Sequence, residues 1–353
     1  MKSSYEERHL ALLSKVEVCI KGVGQIGALD VGLICMLKDF SSLVQKLIGT
    51  EGDAFKVRIL DEFDNASLES NAPGKILLRL LKISIPQDGR FNLLYKLEPY
   101  IEMAMSYIVE FGLYRILLSS RVAQPVSEIR NLVRHLNECV DKIRQEVKCR
   151  KFLSKLSSYN RSSNKNYKEL SEYIDDLFEH YSRLLVLRVD LSYQKQYSNT
   201  TQAEIRRHRK RLFENVRSNK LFADMVGGIW KLEHGPEKGF HYHVMLFFDG
   251  SKVREDITKA NLIGRYWIDV VTKGRGLYFN CNAIKFFYKS CGIGMVHHGD
   301  AQLREGLRNA VVYLTKTDLY MRLQTEGRGM GKMNRPPPKD PRGRPRVAFS
   351  AGG

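Results

Sequence analysis

Chemistry concentrates in one stretch of this chain, FHYHVMLFF at 240–248, where His241 and His243 stand two residues apart in an otherwise apolar run. Side chains alternate along a strand with a period of two, so both imidazoles leave the same face as neighbouring nitrogen ligands. A lone histidine in such a strand is most often a satisfied core residue, whereas a pair at this spacing reads as a ligand pair. Two ligands do not hold a divalent ion. Glu233 closes the preceding run, MVGGIWKLE, and the short connection HGPEKG folds it back beside the histidines. Glu233, His241 and His243 then offer one oxygen and two nitrogens. Three protein ligands leave positions open for water and a phosphate oxygen, as a catalytic ion needs and a structural zinc does not. His234, His297 and His298 are rivals for the third place.

A nucleophile comes from a later helix. Asp300 can cap it, Leu303, Leu307, Ala310, Val311 and Leu314 form its core stripe, and Gly306, Asn309, Tyr313, Lys316 and Tyr320 recur at three and four along a second face. A tyrosine in that setting is ordinarily a core residue with a wet tip. Beside a metal site it reads differently. A phenol with a pKa of about 10 is a weak nucleophile until a nearby cation favours its ionised form. Lys316, one turn after Tyr313, is the candidate cation. Tyr320, two turns from Tyr313, reads as a packing or stacking residue.

These groups need a sheet and helices to position them. LLVLRVDL at 184–191 alternates Leu185, Leu187, Val189 and Leu191 against Val186, Arg188 and Asp190, and is expected to be a strand. The two runs around HGPEKG follow as a hairpin, the second of them apolar on both faces apart from its histidines and therefore central. Thr201 with Glu204 makes a capping box for a helix whose inner positions are Ile205, Leu212, Phe213 and Val216. Its outer positions, Arg206, Arg207, Arg209, Lys210, Arg211 and Arg217, are candidate phosphate contacts, as is Arg188. The segment 252–289 interleaves cations with aromatic rings, a composition suited to unpaired nucleic acid although many of the rings will be core.

At 353 residues the chain is expected to form two domains. Residues 1–150 hold 21 basic and 19 acidic side chains, against 36 and 20 in the remainder, so nearly all of the net charge of +18 lies in the second part. That imbalance points to a polyanion held by the carboxy-terminal region, nucleic acid rather than a membrane, because no amphipathic anchor accompanies it. No run reaches the ~18 uncharged apolar residues of a membrane span, and the start, MKSSYEERHL, carries charges where a secretory signal needs an apolar core. The six cysteines form no C-x-x-C pair and are expected to be free thiols in a reducing, cytoplasmic setting.

Apolar residues at helical spacing, Leu10, Leu13, Val16 and Ile20, Ile101, Met105 and Ile108, then Ile129, Leu136, Val140 and Ile143, predict a helical bundle over the first part. Gly22, Gly24 and Gly27 spell a dinucleotide-binding fingerprint, but the flanking periodicity stays helical and the glycines read better as helix ends. The polar run SSYNRSSNKNY at 157–167 is expected to be a linker.

A strand, then FHYHVML with its His-x-His, then a helix bearing YLTK resembles the HUH endonucleases of rolling-circle replication. The stretch 180–330 is similar to the inovirus-type replication proteins and the YagK/YfjJ carboxy-terminal domain. The resemblance implies that Glu233, His241 and His243 bind Mg²⁺ or Mn²⁺, that Tyr313 attacks a phosphodiester of single-stranded or stem-loop origin DNA with Lys316 as helper, and that a 5′ phosphotyrosine and a free 3′ hydroxyl result. Relaxases place the tyrosine before the histidines; here it follows, which favours a replication initiator or a transposase of a phage or mobile element in a bacterial host. The implied architecture is α+β: a helical bundle over 1–155, a polar linker and lead-in helix over 156–179, an HUH-type domain with a central, mainly antiparallel sheet flanked by helices over 180–325, and a flexible basic tail over 326–353. Residues 1–155 are then free to bind a partner such as a host replication protein. The rival readings are a non-catalytic DNA-binding regulator and a structural zinc held by His241, His243 and His297 or His298.

Overall fold

The computed structural model of the chain describes residues 28–86, 89–115, 124–214, 216, 218–235, 238–288 and 290–336. Leu10 to Ile20, the triplet Gly22, Gly24 and Gly27, Arg217 and most of the basic tail lie outside the described residues. Two compact units divide the chain: Asp30–Ser163 with Thr317–Arg322 makes one, and the other is built chiefly from Asn164–Lys316.

The first unit is not an all-helical bundle. Its helices Ala28–Ile48, Ala72–Leu80, Pro99–Glu110 and Val126–Glu146 accompany strands β1 (Phe55–Ile59), β2 (Asn65–Ser70), β3 (Tyr95–Leu97) and β4 (Gln124–Pro125). β1, β2 and β4 form an antiparallel sheet in that order. FKVRI and NASLES are too short for their alternation to stand out in the sequence. Asp61 makes the turn between them, accepting from the backbone N–H groups of Phe63 and Asn65. The expected helical stripes are present and buried at Ile101, Ile108, Ile129, Leu136, Val140 and Ile143.

Where a linker was expected, one helix runs from Arg150 to His180 without interruption. The stretch contains neither glycine nor proline to stop it, and Phe152, Tyr159, Leu170, Tyr173 and Leu177 give it buried positions. The boundary between the units falls inside this helix.

The second unit is built on β5 (Arg183–Tyr193), β6 (Met225–Gly235), β7 (Gly239–Asp249), β8 (Gly276–Asn280) and β9 (Gly294–His297). β10 (Met321–Leu323) pairs with β3 in the first unit's small two-stranded sheet, whereas β11 (Met330–Lys332) joins the large one. The large sheet runs β11-β6-β7-β5-β8, with β9 also paired to β5, and each of these pairs is antiparallel. β7 is central and buried on both faces, as its apolar sequence requires. One face carries Tyr242, Val244, Leu246 and Phe248 under the helices Gln202–Glu214 and Asp256–Tyr266. The other carries Met245 and Phe247 under Leu170, Tyr173 and Leu177 of the long helix and Leu307, Val311 and Leu314 of a helix spanning Ala301–Thr315.

Both expected caps are present: Thr201 Oγ1 accepts from Glu204 N–H at 3.2 Å and Asp300 Oδ1 from Leu303 N–H at 2.9 Å. Gly306 is required, because a Cβ there would collide with the Cys291 carbonyl. The Ala301–Thr315 helix ends before Tyr320, which is buried in the first unit, so the expected shared face of Gly306, Asn309, Tyr313, Lys316 and Tyr320 stops short of its last member. The described cysteines Cys35, Cys139, Cys149, Cys281 and Cys291 are free thiols. No described helix is long and apolar enough to cross a membrane.

Candidate metal centre

Strand register assembles the centre. Glu233 of β6 lies directly opposite His241 of β7, and on the other side of β7, Asp190 of β5 lies opposite His243. Directly opposed residues share a face, so two imidazoles and two carboxylates meet on the side of the sheet that also receives the Ala301–Thr315 helix. The ligand atoms of Glu233, His241 and His243 all lie within 4.8 Å of one another. Glu233 Oε2 is 3.2 Å from His243 Nε2 and 4.0 Å from His241 Nε2.

The outer partners fix which nitrogen faces inward. His243 Nδ1–H donates to Asp190 Oδ1 at 2.6 Å, and His241 Nδ1–H donates to the Gly239 carbonyl at 3.1 Å. Both Nε2 atoms are thereby aimed at Glu233, the arrangement by which second-shell acceptors orient metal-binding imidazoles. Behind Asp190 stands Arg188, whose Nε is 3.7 Å from the carboxylate.

Charge is distributed to match. Burial works to raise the Glu233 carboxyl, but His243, then His241 and Lys231, outweigh it and hold the group down at about 2. Asp190 is likewise pulled up by burial and held well below the usual carboxylate range by His243 and Arg188. Burial disfavours a charge on His243, yet Asp190 and Glu233 more than offset this and raise it to about 9. His241, with burial and the His243 charge against it, is pushed down to about 4. Both carboxylates are therefore ionised at neutral pH and His241 is a neutral donor, whereas His243 carries a proton there that an ion would have to displace from Nε2. One carboxylate oxygen and two imidazole nitrogens fit a divalent transition ion such as Mn²⁺ better than Mg²⁺, which prefers an all-oxygen shell.

The rivals for the third place are elsewhere. His234 points to the opposite face, its ring 4.8 Å from that of Phe240, and His298 Nδ1 is engaged with the Ser182 carbonyl at 3.1 Å. His297 of β9 pairs with Arg183 of β5, and among the described residues Glu233, His241 and His243 form the one metal-competent cluster. A zinc site completed by His297 or His298 is thus not formed. Asp190 escaped the sequence reading; a carboxylate in the apolar run LLVLRVDL was its one signal.

Tyr313 lies in the last turn of the Ala301–Thr315 helix, and Lys316 opens the 3-10 turn that follows. Their side chains lie outside the described residues. The helix itself packs through Leu307, Val311 and Leu314 onto the sheet face that carries His241 and His243.

The expected row of outward cations is divided by the structure. Arg207 and Lys210 are exposed, the latter with Glu214 at 3.4 Å. Arg206 is half-buried. Arg209 folds inward, its guanidinium 3.8 Å from the centre of the Trp230 ring, and Arg211 reaches the Val271 carbonyl at 3.5 Å. Arg188 is only 11% exposed and serves Asp190 rather than an open surface.

Fold and site together define an α+β protein whose antiparallel sheet carries a cluster of two buried histidines and one carboxylate able to hold a metal ion. Residues 148–318, just under half of the chain, match the family model of the YagK/YfjJ C-terminal domain, and the match spans every residue of the centre. No curated protein and no solved structure matches the chain.

Proposed function

We propose that the second unit nicks and rejoins single-stranded DNA through Tyr313 with a divalent cation, Mn²⁺ or Mg²⁺, held by Glu233, His241 and His243. The observation that carries this reading is the convergence of both Nε2 atoms and Glu233 Oε2 on one face of the sheet, under the helix that bears Tyr313. When bound, the ion polarises a phosphodiester and stabilises the charge that grows during its displacement.

The chain's own groups do the rest. Asp190 and the Gly239 carbonyl hold the imidazoles in one tautomer and orientation. Tyr313 gives up its proton to water, with the Lys316 ammonium favouring the phenolate. The phenolic oxygen then bonds to phosphorus as the bond from phosphorus to the 3′ oxygen breaks, and the departing oxygen takes up a proton. A 5′ phosphotyrosine and a free 3′ hydroxyl result, and attack by a 3′ hydroxyl on the phosphotyrosine reverses the step and rejoins the strand. Such chemistry starts rolling-circle replication of a phage or mobile element, and the excess of cations over carboxylates in residues 151–353 suits the substrate.

The test is incubation of the full chain with labelled single-stranded stem-loop oligonucleotides and Mn²⁺, read on a denaturing gel. The reading expects a slow-migrating protein-linked band that disappears in Tyr313→Phe. An adduct that persists in Tyr313→Phe removes the nucleophile assignment, and an adduct formed equally well after chelation removes the role of the ion.

A further inference from the structure

A turn hydrogen-bonded to β5 presents two exposed aromatic rings. After β8 the chain forms a 3-10 segment, Cys281–Phe287, in which Phe286 is 82% and Phe287 69% exposed. The turn is held down at several points. Asn280 Oδ1 accepts from the N–H groups of Asn282 and Ala283, and Asn282 accepts from Arg188 N–H at 2.8 Å while donating to the Val186 carbonyl and to Asp256 at 3.0 Å each. Lys285 Nζ bonds Asp256 at 2.7 Å, and the Tyr288 hydroxyl returns to the Cys281 thiol. Arg188, which this turn grips, belongs to the strand whose Asp190 orients His243. The rings therefore crown a clamped segment fastened to the support of the metal centre.

Two rings kept largely in water on this turn offer flat apolar faces. They are too little for a lasting protein contact, which needs about 800 Å² from each partner, whereas aromatic residues of this kind present about 150–250 Å² each. The segment 252–289 that carries them holds eight basic side chains against three acidic ones, and Lys285 Nζ, paired with Asp256, lies 5.6 Å from the centre of the Phe286 ring. Among the described residues the other strongly exposed phenylalanine, Phe63 at 86%, sits among Asp61, Glu62 and Asp64, where phosphates would be repelled. We propose that Phe286 and Phe287 form a stacking platform for unpaired bases of a single strand running to the metal centre. The inference rests on the nicking reading for the strand's destination; binding by the rings can be measured without any nicking.

Fluorescence anisotropy with the full chain in EDTA, using a single-stranded oligonucleotide, the same oligonucleotide with abasic positions, and a duplex, tests the platform. Stacking is worth about 1–3 kcal/mol per base, so Phe286→Ala with Phe287→Ala is expected to weaken single-strand binding about 10- to 100-fold, with duplex binding nearly unchanged. Phe286→Trp should restore or tighten binding, and abasic substitution should mimic the double variant. Equal single-strand affinity in wild type and double variant, an equal loss on duplex, no single-strand binding by the wild type, or a ring-dependent change in oligomeric state instead would overturn the platform. Ring-dependent binding without any adduct would spare the platform and remove the nicking reading. An adduct formed by a chain whose rings do not matter to binding would do the reverse.

Discussion

Two glutamates, Glu98 buried in one unit and Glu233 largely buried in the other, show what the candidate metal centre requires. Glu98 caps the Pro99–Glu110 helix, accepting from Ile101 N–H and the Ser41 hydroxyl. Burial, opposed only by these hydrogen bonds and one from Tyr100 N–H, drives its carboxyl up to about 7. Glu233, whose side chain is 16% exposed, faces the same penalty, yet His243, His241 and Lys231 bring it down to about 2. Burial alone pushes a carboxyl towards its protonated form; burial among cations keeps it ionised and able to serve as a ligand. The first unit uses its glutamate as a cap, and the second surrounds its own with partners that a divalent ion could replace.

The most severe way to break this contrast is to remove the imidazoles. His241→Ala and His243→Ala should each abolish saturable Mn²⁺ binding in calorimetry, a larger loss than the roughly 10- to 100-fold that outer partners command.

Changing pH sharpens the contrast at Glu98. Its folded pKa lies above the ordinary 4.5, so the folded chain holds the proton more tightly than the unfolded chain does. The resulting stability is fully present below about pH 4.5, declines as pH rises towards about 7, and is gone above that. The contribution is on the order of 3 kcal/mol. Urea unfolding of the full chain across that interval should show the decline, and Glu98→Gln, which keeps an acceptor for Ile101 N–H, should flatten it. An unchanged slope in that variant would show that another group is responsible.

Asp190→Ala should weaken Mn²⁺ affinity about 10- to 100-fold, because His243 loses its orienting acceptor. Asp190→Asn should lose less, since an amide oxygen still accepts from Nδ1–H. Equal losses would mean that charge rather than orientation matters. Smallest is Arg209→Ala on the opposite face: about 0.5–2 kcal/mol of stability from the lost contact with Trp230, with ion affinity unchanged.

The parts of the centre that were legible share a cause. Glu233, His241 and His243 sit on one hairpin, and the period of two plus a short connection suffices to bring them together. Asp190 comes from a strand more than fifty residues upstream, and its partnership with His243 exists only through register. Arg209 and Arg188 looked like surface cations because helical and strand periodicity assign a face without saying what covers it; Trp230 and Asp190 decide that. The polar run SSYNRSSNKNY read as a linker because it offers few apolar residues, but Tyr159 and Tyr167, a little over two turns apart, are enough for a helix that nothing interrupts. The small sheet of β1, β2 and β4 was missed for the opposite reason, since its strands are too short to outweigh the long helical stripes on either side.

The central claim is that Glu233, His241 and His243 grip one divalent ion. Calorimetric titration of the metal-stripped full chain with Mn²⁺ measures it directly. The account predicts one saturable site per chain that is absent from Glu233→Ala and His243→Ala, both folded by circular dichroism. Wild-type affinity in those two variants, or no saturable site in the wild type, would contradict it.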